Sequence, residues 1–315
     1  MTLDGPDAER IADAYGLGGD AVLSGPVARG EVGQVWRLTT LLGAWAIKEP
    51  FERPSTDEAN DDAAFQDEVF AGGVSMPKVV RTTAGEVLAE LESATVRVYQ
   101  WVDLEQRDAM LDPATVGRIV AAIHRVHFIG NNPVDPWYTD PVGAERWDEL
   151  IGQLAAAGAD FADALAEQRD ELVALEELLE WPSNLQTCHR DLFADNVLRM
   201  PSGAVCVIDW ENSGLADPTQ ELGLVLFEFG RGEPERTRAL YDAYVDAGGP
   251  GRIERPSNFS MVIAQLAHIG EISCTRWLTA SRHSEQAHNA GRVGEFLTDG
   301  ITRRMIEGLV DAVSG

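Results

Sequence analysis

The sequence predicts an α+β fold, with a mostly antiparallel sheet and one helix first and a larger helical body after it. Short β-branched and aromatic runs at residues 35–38, 45–48 and 95–102 crowd the first third of the chain. From Asp112 onward, apolar residues recur at helical spacing instead. Residues 204–208 form a separate apolar run that ends on a charge, Asp209.

Taken in order, residues 7–15 read as a short helix, broken by Gly16, Gly18 and Gly19. Strands follow at 21–23 and 35–38, with Gly30 and Gly33 between them. A third strand, 45–48, ends on Lys48, and an acidic helical stretch covers 56–71. Strands at 87–91 and 95–102 complete the sheet, the second with β-branched, period-two character. Asp112-Pro113 is a helix start, with Asp as cap and Pro in the first turn. Val116, Ile119, Val120, Ile123 and Val126 then share one helical face. A connector rich in proline and glycine, 130–143, carries Trp137 and Tyr138. Helices are predicted at 145–157 and 161–179, and later at 220–229, 234–247, 259–278 and from 285 onward. This organisation divides the chain into an N-terminal lobe, 1–102, and a C-terminal lobe, 103–315, with a hinge near Trp101, Val102 and Asp103.

The stretch His189-Arg190-Asp191-Leu192-Phe193-Ala194-Asp195-Asn196 carries the most chemistry. It places a carboxylate and an amide five residues apart on one short loop. Asp191 is suited to take a proton from an attacking hydroxyl, and Asn196 to reach a magnesium ion on ATP. Asp209, at the tip of an apolar strand, suits a second metal ligand. Each acidic residue alone fits a helix cap or a turn. Their order and spacing together point to phosphotransfer chemistry.

These residues resemble the aminoglycoside phosphotransferase family, small-molecule relatives of the protein kinases. That family's loop reads H-x-D-x-x-x-x-N, followed by I-D-W or I-D-F, here His189, Asp191, Asn196 and Ile208-Asp209-Trp210. The resemblance runs from about Val22 to about Gly230. It implies a bilobal protein-kinase-like fold, Asp191 as catalytic base, Asn196 and Asp209 as Mg²⁺ ligands, and ATP as donor. Trp210-Glu211-Asn212 stands where protein kinases carry Phe-Gly, and no A-P-E segment follows. A small-molecule acceptor is therefore expected rather than a peptide. Glu221 stands where the family more usually has Asp.

Lys48 is one of only two lysines, and an ammonium at the end of a buried strand can reach the ATP phosphates. Gly30 and Gly33 allow backbone amides to approach phosphate oxygens. Glu68 is assigned as the carboxylate partner of Lys48, with Asp62 and Glu58 as open alternatives. The segment from Tyr99 to Val102 is expected to offer backbone groups to the adenine edge. Glu211, Asp217, Glu228 and Glu271 are candidates to meet ammonium groups of an acceptor. Trp137, Tyr138, Trp147 and Trp277 are candidates to stack on it, with core packing as the alternative for each.

A net charge of −27 disfavours nucleic acid and anionic membranes as partners and favours cationic small molecules. Three scattered cysteines, Cys188, Cys206 and Cys274, show no metal spacing and argue against a disulfide framework. The N-terminal residues are acidic, with no apolar signal region, so a cytoplasmic protein is expected. The predicted function is ATP- and Mg²⁺-dependent O-phosphotransfer to a small cationic molecule, an aminoglycoside-like antibiotic foremost. A metabolite kinase for a sugar, amino alcohol or amino acid hydroxyl is the alternative, and a catalytically inactive nucleotide-binding regulatory module is a third.

Overall fold

The computed structural model describes residues 3, 5–30, 32–92 and 94–314. The acidic N-terminal reading at Met1, Thr2 and Asp4 lies outside them, as does Glu31 between the two hairpin glycines. The elements run α1 Gly5–Tyr15, β1 Val22–Arg29, β2 Gly33–Thr40, β3 Gly43–Pro50, α2 Thr56–Ala71, β4 Val79–Val80, β5 Leu88–Glu90 and β6 Thr95–Gln100. After these come α3 Pro113–His124, α4 Ala144–Ala156, α5 Ala162–Glu176, β7 Gln186–Cys188, β8 Val197–Arg199, β9 Val205–Val207 and β10 Gly214–Ala216. Then follow α6 Pro218–Gly230, α7 Pro234–Asp246, α8 Ser260–Thr279, α9 His283–Asp299 and α10 Arg303–Val313. Among the described residues, no helix is long and apolar enough to cross a membrane.

Two compact units emerge. The first takes Met1–Asp108, Val126–Asn132 and Ala194–Gly214, and the second takes Ala109–Arg125, Pro133–Phe193 and Leu215–Gly315. The sequence boundary at 102 follows chain order. Compactness instead gathers the stretch with Asn196 and Asp209 into the same unit as the N-terminal sheet.

The first unit is built on a six-stranded antiparallel sheet ordered β1-β2-β3-β6-β4, with β5 also paired to β6. Period two sorts its residues by face. Leu38, Ile47, Val96 and Val98 pack with Ile11, Ala12 and Tyr15 of α1 into one core. Lys48 lies opposite Val35 on β2 and Arg97 on β6, so two basic side chains stand next to each other on adjacent strands. The side chain of Ser55 caps α2 by accepting from Glu58 N.

The second unit is helical. Trp147, Leu150, Leu165, Leu172, Trp277 and Phe296 join α4, α5, α8 and α9 in one core. Trp147 is fully buried and its indole N–H donates to Glu176 Oε1 at 3.1 Å. Trp147 and Trp277 are thus core residues and not acceptor-stacking surfaces. The Asp112-Pro113 start holds, with Asp112 accepting from Thr115 N at 2.9 Å. Gly117 lets α3 cross α7 closely, because a Cβ there would run into the carbonyl of Leu240. The stretch from 285 onward is two helices rather than one, α9 and α10, separated at Gly300.

Candidate active site

The first unit brings Lys48 and Asp209 together across 161 residues of sequence. Lys48 Nζ donates to Asp209 Oδ1 at 2.5 Å and to Glu211 Oε2 at 2.6 Å. The 3-10 turn Trp210–Asn212 makes this geometry. Trp210 is buried against Phe65 with ring centroids 5.7 Å apart, and it leaves the carboxylates on either side of it converging on one ammonium. Asp209 itself adopts a left-handed backbone, φ 65°. Tyr99 donates its hydroxyl to Glu211 Oε1 at 2.6 Å, so Glu211 is held from both sides. Burial alone would lower the Lys48 pKa, but the charges of Glu211 and Asp209 outweigh it and hold the ammonium well above its ordinary range. Burial would raise the Glu211 pKa, and Lys48 and Arg97 outweigh that too, holding its carboxyl well below its usual value.

The carboxylate partner expected on the helix is therefore not Glu68. Glu68 is exposed, and Lys48 bonds instead to the turn after β9. Glu58 is exposed as well. Asp62 is buried but faces Arg97, whose NH1 lies 3.3 Å from its Oδ2. Asp62 Oδ1 accepts from Ser213 Oγ and from Asn132 Nδ2, each at 2.9 Å. The helix carboxylate thus ties three chain segments together around Arg97. Burial, which outweighs the pull of Arg97, pushes the Asp62 carboxyl up to about 7. A raised folded pKa means this group favours the folded state most below its ordinary value of 3.8. That contribution is lost as pH rises toward 7. Asp62→Asn is therefore expected to flatten the fall in stability between pH 4 and 7, by at most about 1.4 kcal/mol per pH unit. Urea midpoints of both proteins across that range check it, and parallel curves would contradict it.

Asn196 is buried, and its backbone carbonyl accepts from Ile208 N at 2.9 Å, which sets the residue beside the strand leading to Asp209. The Asp209 side chain is 37% exposed, so its carboxylate is open to a ligand as well as to Lys48. An amide oxygen and a carboxylate are hard donors of the kind magnesium prefers. The residues present fit that ion.

The two glycines play different parts. Gly30 N donates to Gly33 O at 2.9 Å, closing the turn between β1 and β2. Gly33 must be glycine because a Cβ would come within 2.8 Å of Glu49 O on β3. Of the amides expected to meet adenine, Gln100 N donates to Lys78 O at 2.9 Å and Trp101 N to Ala44 O at 3.1 Å. Asp195 forms an exposed ion pair with Arg107 at 3.0 Å rather than serving as a cap.

In the second unit, Asp191 is half-buried at the end of a tightly held loop. Arg190 has φ 64°, and its backbone N–H donates to Glu221 Oε1. Its guanidinium donates to Pro133 O at 3.0 Å and sits over the Tyr138 ring at 4.6 Å. Glu221 Oε2 lies 2.7 Å from His124 Nε2, and His124 Nδ1 lies 2.9 Å from Tyr244 Oη. His124 and Tyr244 are the site residues that sequence reasoning missed. His124 ends α3, and helical spacing alone gave no reason to single it out. Gln265 on α8 also reaches this loop. Cys188 is fully buried, and burial pushes its thiol well above its ordinary range.

Most acidic candidates for acceptor binding have internal partners. Glu211 holds Lys48. Asp217 caps α6 through Thr219 N at 2.9 Å and accepts from Asn184 N at 3.1 Å. Glu271 accepts from Arg146 NH2 at 2.6 Å. Glu228 is buried. Tyr138 is buried under Arg190, and Trp137 stacks on His268 with ring centroids 5.2 Å apart.

A family model described as the phosphotransferase enzyme family matches residues 25–255, well over half of the chain. The chain belongs to that family. Sequence relatives include a homoserine kinase of Methylobacterium sp. (strain 4-46), 26% identical over 207 residues, which are 64% of this chain and 61% of that protein. The match thus spans about three-fifths of that relative's length. Among solved structures, spectinomycin phosphotransferase in complex with ADP and spectinomycin matches with a TM-score of 0.68 at 11% identity, covering 99% of each chain. A choline/ethanolamine kinase family protein from Mesorhizobium loti matches with a TM-score of 0.57 at 19% identity, covering 99% of this chain and 100% of that one. At these identities the family's kinase-like fold is what the structural matches share with this chain.

Proposed function

We propose that the chain is an ATP- and magnesium-dependent O-phosphotransferase acting on a hydroxyl of a small molecule. One observation carries the reading. A strand-end lysine and a strand-tip aspartate, far apart in sequence, meet at 2.5 Å, with Asn196 bonded through its carbonyl to the residue before that aspartate. This is the donor set a nucleotide phosphate and its metal require. Asn196 and Asp209 would hold the magnesium ion, which neutralises phosphate charge when bound. Lys48 offsets the charge of the phosphate oxygens. Asp191 orients the acceptor hydroxyl and receives its proton at a carboxylate oxygen as the new O–P bond forms and the bond from the γ-phosphorus to ADP breaks, with ADP as the leaving group. Arg190 and Glu221 hold the loop in place.

For the acceptor, two readings remain. An aminoglycoside-like antibiotic suits the chain's net charge of −27. A metabolite carrying fewer charges is favoured by the internal pairing of Glu211, Asp217 and Glu271, which are not free to meet several ammonium groups. The sequence relatives named homoserine kinase point the same way. A cytoplasmic site of action accords with the use of ATP.

An acceptor panel tests both. The purified chain, given ATP with and without Mg²⁺, is offered hydroxylated cationic antibiotics, amino alcohols and hydroxy amino acids. Metal-dependent ADP release that appears only with one acceptor class is the expected result. Nucleotide binding without transfer to any acceptor would favour the regulatory module instead.

A further inference from the structure

We infer that Gln265, on α8, is a positioning residue for the Asp191 carboxylate. The inference rests on the proposed role of Asp191 as base. Gln265 is only 3% exposed and sits in an otherwise apolar stretch of helix, between Val262, Ile263 and Ala264 on one side and Ala267 on the other. An amide in such surroundings loses its water and must find partners in the protein. The partners it finds are both on the catalytic loop. Gln265 Nε2 lies 3.3 Å from Arg190 O and 3.5 Å from Asp191 Oδ1.

The amide's orientation follows from these neighbours. Turned over, Gln265 would aim its oxygen at a carbonyl and a carboxylate, so the amino group must face the loop. Its Oε1 is buried without a hydrogen-bond partner among the described residues. The side chain therefore gives up half of its own bonding capacity to stay at the loop. Apolar packing would be better served by Leu or Met at this position. A donor on Oδ1 fixes the plane of the Asp191 carboxylate, and with it the direction in which the second oxygen meets a hydroxyl. The contacts are long, as apo contacts at proton-transfer sites often are before substrate tightens them. Misplacement of a reacting group by about 1 Å can cost on the order of 100-fold in rate.

Gln265→Met keeps the side chain's length and removes the donor. Gln265→Glu keeps its shape and sets a carboxylate against Asp191. With the acceptor found in the panel, both variants are expected to lose kcat by about tenfold or more. The KM for MgATP and the melting temperature should stay near wild type. The loss should be deeper in Gln265→Glu. A kcat within twofold of wild type in Gln265→Met overturns the inference. So does failure of both variants to melt cooperatively, which would make Gln265 a stability residue. An inactive wild type would instead sink the functional reading itself. An active wild type, an inactive Asp191→Asn and a fully active Gln265→Met would sink this inference alone.

Discussion

Asp191→Asn is expected to reduce turnover by about 10²–10⁴-fold while MgATP binds as it does to the wild type. The amide keeps the size of the carboxylate but cannot accept the acceptor's proton. Asp191 is half-buried, and the residue before it is fixed by backbone and side-chain bonds. The substitution should therefore leave the loop where it is. Lys48 and Asp209, proposed to meet the nucleotide, belong to the other compact unit and keep their own contacts. Acceptor-dependent ADP release and a nucleotide titration on the same preparation separate the two effects. Unchanged turnover would remove Asp191 from the chemistry.

Glu221→Ala is expected to destabilise the helical unit by about 3–5 kcal/mol. Typical total stabilities are only about 5–15 kcal/mol. Glu221 and His124 are both fully buried, 2.7 Å apart. Removing the carboxylate leaves the Nε2 of that imidazole without its partner and takes away the acceptor of the Arg190 N–H, which sits in a left-handed backbone conformation that a firm partner maintains. Turnover should fall with stability, because Arg190 immediately precedes Asp191. A pH signature accompanies the change. Burial would raise the Glu221 pKa, but the bond and charge of His124, the charge of His189 and the Arg190 N–H together outweigh it and hold the carboxyl below its ordinary value of 4.5. A depressed folded pKa gives stabilisation that is present above that ordinary value. It is lost as pH falls through the lower folded value. Urea melts should thus show a gap between wild type and variant that is full at pH 7 and narrows at strongly acid pH. Equal midpoints at pH 7 would refute the assignment.

The elements were legible where one local signal dominated. Asp112-Pro113 marked the start of α3, and the apolar run ending at Lys48 marked β3. The acidic helical stretch at about 56–71 is α2, Thr56–Ala71. Its partner to Lys48 was not legible, because acidic residues occur on several of its faces and buried ones include Asp62 and Gln66. Helical spacing cannot choose among carboxylates when polarity no longer distinguishes inside from outside. The true partner, Glu211, lies two residues beyond Asp209 in a 3-10 turn. The buried Trp210 between them was the available clue, since a large apolar residue turned inward leaves its neighbours to turn together the other way. Two-residue β4 went unseen because Val79–Val80 is too short for any period to register. The role of His124 depended on α6 and α7 arriving beside it, which no local pattern encodes.

The ammonium at the end of β3 already has two counter-ions of its own. Arg97 lies 4.0 Å from Glu211 and 3.3 Å from Asp62, so that corner of the sheet gathers two basic and three acidic side chains before anything binds. A bare polyphosphate arriving there would meet repulsion as well as attraction, whereas one whose charge is partly cancelled by a divalent cation would not. On the proposed reading, the acids around Lys48 thus favour a nucleotide that travels with its ion over a bare one.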